Sequence, residues 1–266
     1  MTATPRPSWV IGVEQTRALA ARSVRNTARE PSAWAPAMIF PLLLAVIYSA
    51  QFSRAAELPG FPEVDSFLQF ILPASVLQGV SFFAGDVGTG MATDIQTGFF
   101  DRLVMSPTGR LSIFIGRLGG SMLFSAGVAA VLVAVFSVFG APVQGGFLAS
   151  VAVVVIAAGL AAAIGGFSLA VAISTGSTEA TQAMFPLVFV AVFVSSAFFP
   201  TELMSGWYQQ VAEANPVTLI VNPTRRIALE GFSVAAFAQA ALWIALLAAV
   251  SLGLAYRAYR TRLTRA

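Results

Sequence analysis

Six long apolar runs decide what this chain can fold into. Crossing ~30 Å of hydrocarbon takes about 20 apolar residues in a helix, and residues 34–52, 67–85, 113–139, 147–174, 183–199 and 235–256 each have that character. Charged residues make up only 10% of the sequence, against about a quarter in a water-soluble domain, so a soluble surface cannot be built. The expected fold class is an all-α integral membrane protein with six transmembrane helices, multi-pass in the cell membrane. The first run is expected to be retained rather than cleaved, because its polar lead-in is too long for a signal peptide and the bulky Tyr48 sits where a cleavage site wants a small residue. No internal repeat or soluble domain interrupts the order: an N-terminal segment 1–33, a membrane domain 34–256 and a basic tail 257–266.

All 15 basic residues are arginine, and lysine, histidine and cysteine are absent. Phosphate-binding loops and Schiff-base chemistry need lysine, serine–histidine triads need histidine, and common structural zinc sites need cysteine or histidine. The chain is therefore expected to be no enzyme, with no catalytic, cofactor-binding or metal-binding residues of its own. Its arginines report orientation instead. With six crossings, the groups Arg6–Arg29, Arg102–Arg117 and Arg257–Arg265 fall on one side, and only Arg54, Arg225 and Arg226 on the other. The positive-inside rule then puts both termini in the cytoplasm, and the basic excess is read as contact with membrane lipid, not with nucleic acid.

Before the first run, Trp9, Val13, Thr16, Ala20, Val24 and Thr27 recur at steps of three or four while Arg22, Arg25 and Arg29 take the other face. This predicts an amphipathic helix at the cytoplasmic interface. Gly116 and Gly120 have the four-residue spacing that lets helices approach closely.

Two polar segments carry the remaining information. The first, 86–112, contains "DVGTGMATDIQTGFFDRLVMSPTGR", which reads as a short amphipathic helix at the membrane surface, ended by Pro107. Its pattern of Asp94, Gly98, Asp101, Arg102, Leu103, Ser106, Pro107 and Arg110 resembles the cytosolic loop of ABC-2 type transporter permeases, in the branch of daunorubicin/doxorubicin-resistance exporters. The second segment, 200–234, reproduces that family's hallmark in Asn215, Pro216, Thr218, Arg225 and Gly231, with Pro200 and Trp207 also in place. Pro216 and Pro223 argue against another spanning helix there. Asn222-Pro223 is a departure from the family pattern and reads as a second turn signal, at odds with helical continuity.

The resemblance implies the ABC-2 permease fold, with a coupling helix in 86–112 and re-entrant half-helices in 200–234. It also implies partners: two copies of an ABC ATPase that binds ATP and magnesium, and a second permease, identical or related. Phe99, Phe100, Asp101 and Arg102 are the expected ATPase contacts, the rings filling a groove and the charges fixing register. The implied function is export of drugs or other amphipathic hydrophobic compounds, with lipid or polysaccharide as alternative cargo. Gln78, Phe82, Phe83, Phe189 and Phe193 are candidates for a substrate path, and Asp86 and Glu179 are acids near the cytoplasmic ends of spans two and four. A secondary transporter would want carboxylates near the midplane, and an intramembrane enzyme would want histidine or paired aspartates within spans. Neither pattern occurs.

Overall fold

A computed structural model describes residues 8–105 and 110–265, and the described residues form helices joined by turns and short loops, without a strand. The helices, in order, are α1 (Ser8–Ala28), α2 (Pro31–Gln51), α3 (Phe67–Ala84), α4 (Asp86–Gln96), α5 (Phe99–Met105), α6 (Arg110–Val138), α7 (Gly146–Thr175), α8 (Thr178–Gln182), α9 (Met184–Phe193), α10 (Gly206–Ala214), α11 (Pro216–Glu230) and α12 (Val234–Arg265).

Five of these segments are long and apolar enough to cross a membrane: α2, α3 continuing into α4, α6, α7 and α12. The fifth run expected from sequence, 183–199, holds a shorter apolar helix, Thr178–Phe193, made of α8 and α9, and residues 194–199 turn. Apolar composition alone does not keep a helix going, and this one is stopped by side chains from elsewhere in the chain.

The bundle is built around α3, whose span is 89% buried, while the spans in α2 and α12 are only 17% buried and present apolar side chains outward. Those two helices meet something other than this chain along most of their surface, as lipid-facing helices do. Inside α2, Pro41 deprives the Ala37 carbonyl of its usual donor. That oxygen lies where a Cβ at Gly79 would be 3.0 Å away, so α3 packs closely on it.

One face of α1 has a protein partner. It runs alongside the first third of α6, where a Cβ at Gly116 would stand 2.7 Å from Leu19 Cβ, and one at Gly120 2.7 Å from Ser23 Cβ. The glycine pair flagged by spacing is thus a seat for α1. The packed face is also rotated from the expected stripe: Val13 is 61% exposed, and Leu19 takes the contact.

The last turns of α12 pack back onto one end of the bundle. Tyr259 of α12 packs edge-on to Phe114 of α6 at 5.1 Å and to Phe100 of α5 at 6.3 Å, and Arg262 donates to the Ile173 carbonyl of α7 at 3.1 Å. This arginine-rich end has its own apolar core, in which Met91, Phe100, Ile113, Leu169, Ile173 and Tyr259 are buried together. A larger core fills the bundle between α3, α6, α7 and α11.

Candidate functional site: a braced helix and a splinted break

At the arginine-rich end, α4 and α5 form an angled lever. Gly98 makes the corner with φ of +69° and open space around it, so the residue is needed for its backbone conformation, not for room. α4 is pressed onto α7 at Gly88, where a Cβ would lie 2.5 Å from the Ser168 carbonyl oxygen. α5 is pinned by Phe100, only 3% exposed, against Tyr259. Phe100, expected as a groove-filling ring, faces inward here and packs on Tyr259. Phe99 is half-buried, with the Arg22 guanidinium 4.1 Å above its ring, which ties α1 to α5.

Asp94, in the last turn of α4, holds the pair near its corner. It pairs with Arg117 of α6 and lies 3.6 Å from Arg22 of α1, so one carboxylate links three helices. What remains exposed on α5 is Asp101, Arg102 and Met105, with Leu103 half-buried. Met105, 79% exposed, escaped the sequence reading, which had no way to tell an outward methionine from a core one. Arg110 begins α6; Ser106 and Pro107 lie outside the described residues.

At the opposite end, the second motif closes around the interrupted helix α9. A helix leaves its last carbonyls without partners, a heavy cost in an apolar setting. Here side chains supply the donors. Asn215 donates to the carbonyls of Ala191 at 2.7 Å and Val194 at 2.9 Å, and the Tyr208 hydroxyl donates to Phe193 O at 2.9 Å. Arg225 donates through Nη2 to the carbonyls of Ser196 at 2.7 Å and Ala197 at 3.1 Å, and through Nε to Phe70 O at 3.3 Å. Its guanidinium also stacks 3.9 Å from the Phe70 ring. Thr218 Oγ1 accepts from Ser196 N at 3.0 Å.

The same residues build α11. Asn215 caps it, accepting from Val217 N at 2.8 Å, and Pro216 takes the first helical position, where its missing N–H is no loss. Gly231 ends it with φ of +107°. The break expected at Asn222-Pro223 is absent, since α11 runs unbroken through both. Instead Asn222 Oδ1 accepts from Ser196 Oγ at 2.6 Å and Arg225 Nη1 at 3.2 Å. Its carbonyl is spent on the network, not on a turn. Tyr208 and Ser196 were missed by sequence reasoning, and Asn222 was read only as a turn signal, because neither the carbonyl that Tyr208 serves nor the Ser196–Asn222 pairing has a sequence signature.

Of the candidate path residues, Phe82, Phe189 and Phe193 come together: Phe82 stacks on Phe189 at 5.9 Å, and Phe189 on Phe193 at 4.2 Å. The rings continue through Phe198, Tyr48, Phe52 and Phe67 to Phe70. Phe83 departs from this seam and packs on Phe124 of α6 at 5.0 Å. Gln78 is 1% exposed with neither amide atom hydrogen-bonded. Glu179 is explained locally: the Ser177 hydroxyl, joined by a backbone amide and Thr178, holds its carboxyl below the usual range at the start of α8.

Comparison with known proteins matches residues 14–229 to the family model described as ABC-2 type transporter. The chain is also 26% identical over 233 residues to the daunorubicin resistance ABC transporter permease protein DrrB1 of Streptomyces coeruleorubidus, covering 85% of this chain and 79% of that protein.

Proposed function

The chain belongs to the ABC-2 type transporter family, and from that premise we propose that it is the permease subunit of an ATP-driven exporter of drugs or other amphipathic hydrophobic compounds. Having no lysine, it has no phosphate-binding loop, so its energy comes from a separate ATPase. One observation carries the reading: a short helix, α5, is held by Tyr259 of α12 through Phe100 and by Arg22 of α1 through Phe99, yet leaves Asp101, Arg102 and Met105 outward.

In this reading the arginine-rich end is cytosolic, as twelve of the arginines falling there favours. Two ATPases dock on α5 of two permease chains. Their closure on ATP displaces α5, and the apolar core around Phe100 and Tyr259 passes that displacement to α6, α7 and α12. α10 and α11 form the re-entrant pair at the outer end, where the splinted end of α9 allows backbone to turn within the apolar layer. A drug-resistance role is supported by the similarity to DrrB1, and the aromatic seam offers such cargo a continuous apolar track.

The test is reconstitution in liposomes with and without the ATPase that co-purifies with the chain. Outward movement of a fluorescent amphipath only with ATPase and ATP is the expected result. Movement by the permease alone, or failure of any ATPase to co-purify, overturns it.

A further inference from the structure

At the arginine-rich end, the junction of α3 and α4 faces α7, α8 and α9 across a cleft of about 420 Å³, a volume typical of small-molecule sites, which span about 300–1,000 Å³. Its apolar side is Phe82 and Phe185, 4.9 Å apart, with Ile164 and Val188. The polar side is unusual in what it withholds. Ser81, Ser168 and Thr181 all line the cleft, yet each spends its proton on a backbone carbonyl, Leu77 O at 2.6 Å, Gly85 O at 2.7 Å and Ser177 O at 2.9 Å. What these hydroxyls still offer is acceptor lone pairs.

Asp86 is the one charged residue on the lining, and no arginine is there. Among the described residues Asp86 has no ion-pair partner, since Arg117, whose charge reaches it at longer range, is committed to Asp94. Thr89 and the Gln182 amide, also on the lining, can donate as well as accept, so the sign of the site is set by Asp86: one anionic group facing two aromatic rings suits a cation with aromatic or apolar bulk and disfavours an anion. The cleft also opens onto the start of the aromatic seam through Phe82 and Phe189. One turn deeper on the same face of α3 as Phe82, the buried Gln78 keeps both amide atoms without a protein partner.

We propose that this cleft is a binding site for positively charged aromatic amphipaths, with Asp86 as the charge-selecting group. The proposal deepens the exporter reading and rests on it for the direction in which the ligand leaves, but binding itself needs no ATPase. Asp86 stands at the first position of α4, so its carboxylate also favours that helix end; the test must separate the two roles.

The experiment measures equilibrium binding of tetraphenylphosphonium to the purified full chain in nanodiscs, with empty nanodiscs subtracted, and of tetraphenylborate as the oppositely charged equivalent. The wild-type chain is expected to bind the phosphonium and not the borate. Asp86→Asn should weaken phosphonium binding by about tenfold, the scale of one partly buried charge contact, and Asp86→Glu should retain most of it. Phe82→Ala should also weaken phosphonium binding, without touching α4. Equal phosphonium binding by wild type and Asp86→Asn, at matched thermal stability, overturns the proposal, as does wild-type binding of the borate at similar strength. If the phosphonium binds as expected but ATP drives no transport in liposomes, the site stands and the exporter reading fails.

Discussion

Asn215 and Arg225 share one task, satisfying the carbonyls of a helix that stops short. Arg225 is 6% exposed and bonds three carbonyls from two segments while covering an aromatic ring. Lysine has neither the fork of donors nor the flat face. Arg225→Lys is therefore expected to destabilise the protein by about 2–4 kcal/mol, read as a lower midpoint of thermal unfolding in detergent. Asn215→Ala loses a cap and two carbonyl donors and should cost about 2–3 kcal/mol, whereas Asn215→Asp, which keeps the cap but loses the amide donors, should recover only part. Equal stability of the Asp and Asn forms would show that the Ala191 and Val194 bonds contribute nothing. Both residues were legible as a motif, but their role was not. A donor in a sequence can be named; the carbonyls it reaches, 21 to 29 residues away after α9 and 155 away at Phe70, look like any other backbone.

Among elements, the lever of α4 and α5 separates what holds it from what it shows. Asp101→Arg and Arg102→Glu change exposed side chains, so each should leave folding within about 0.5 kcal/mol and abolish ATP-dependent efflux. Efflux at wild-type rates in either variant would remove α5 as the point of contact. Phe100→Ala should do the reverse, lowering stability by about 3 kcal/mol through the cavity left beside Tyr259. α1 enters the same assembly through Gly116 and Gly120. Gly116→Leu cannot fit below Leu19, so α1 should detach, exposing its linkage to faster proteolysis near Arg22. Sequence periodicity found α1 and the glycine pair separately. It could not join them, because a small-residue spacing states that something packs closely and not what.

For the whole molecule, five of the six apolar runs became spans because hydrophobic length decides that outcome. The sixth was misjudged in extent because its length is set by Asn215, Tyr208 and Arg225, outside the run. The resulting bundle has α3 at its centre, outward apolar faces on α2 and α12, and a lever at the end where α12 packs on α5 and α6. The function turns on which side of the membrane that end occupies. The chain has no cysteine, so Met105→Cys places a single thiol on the exposed tip of α5. Labelling of that thiol with a membrane-impermeant maleimide, in intact cells and in inside-out vesicles, measures the side directly. The predicted result is reaction only in inside-out vesicles, with protection when the ATPase is bound. Reaction in intact cells would contradict the account.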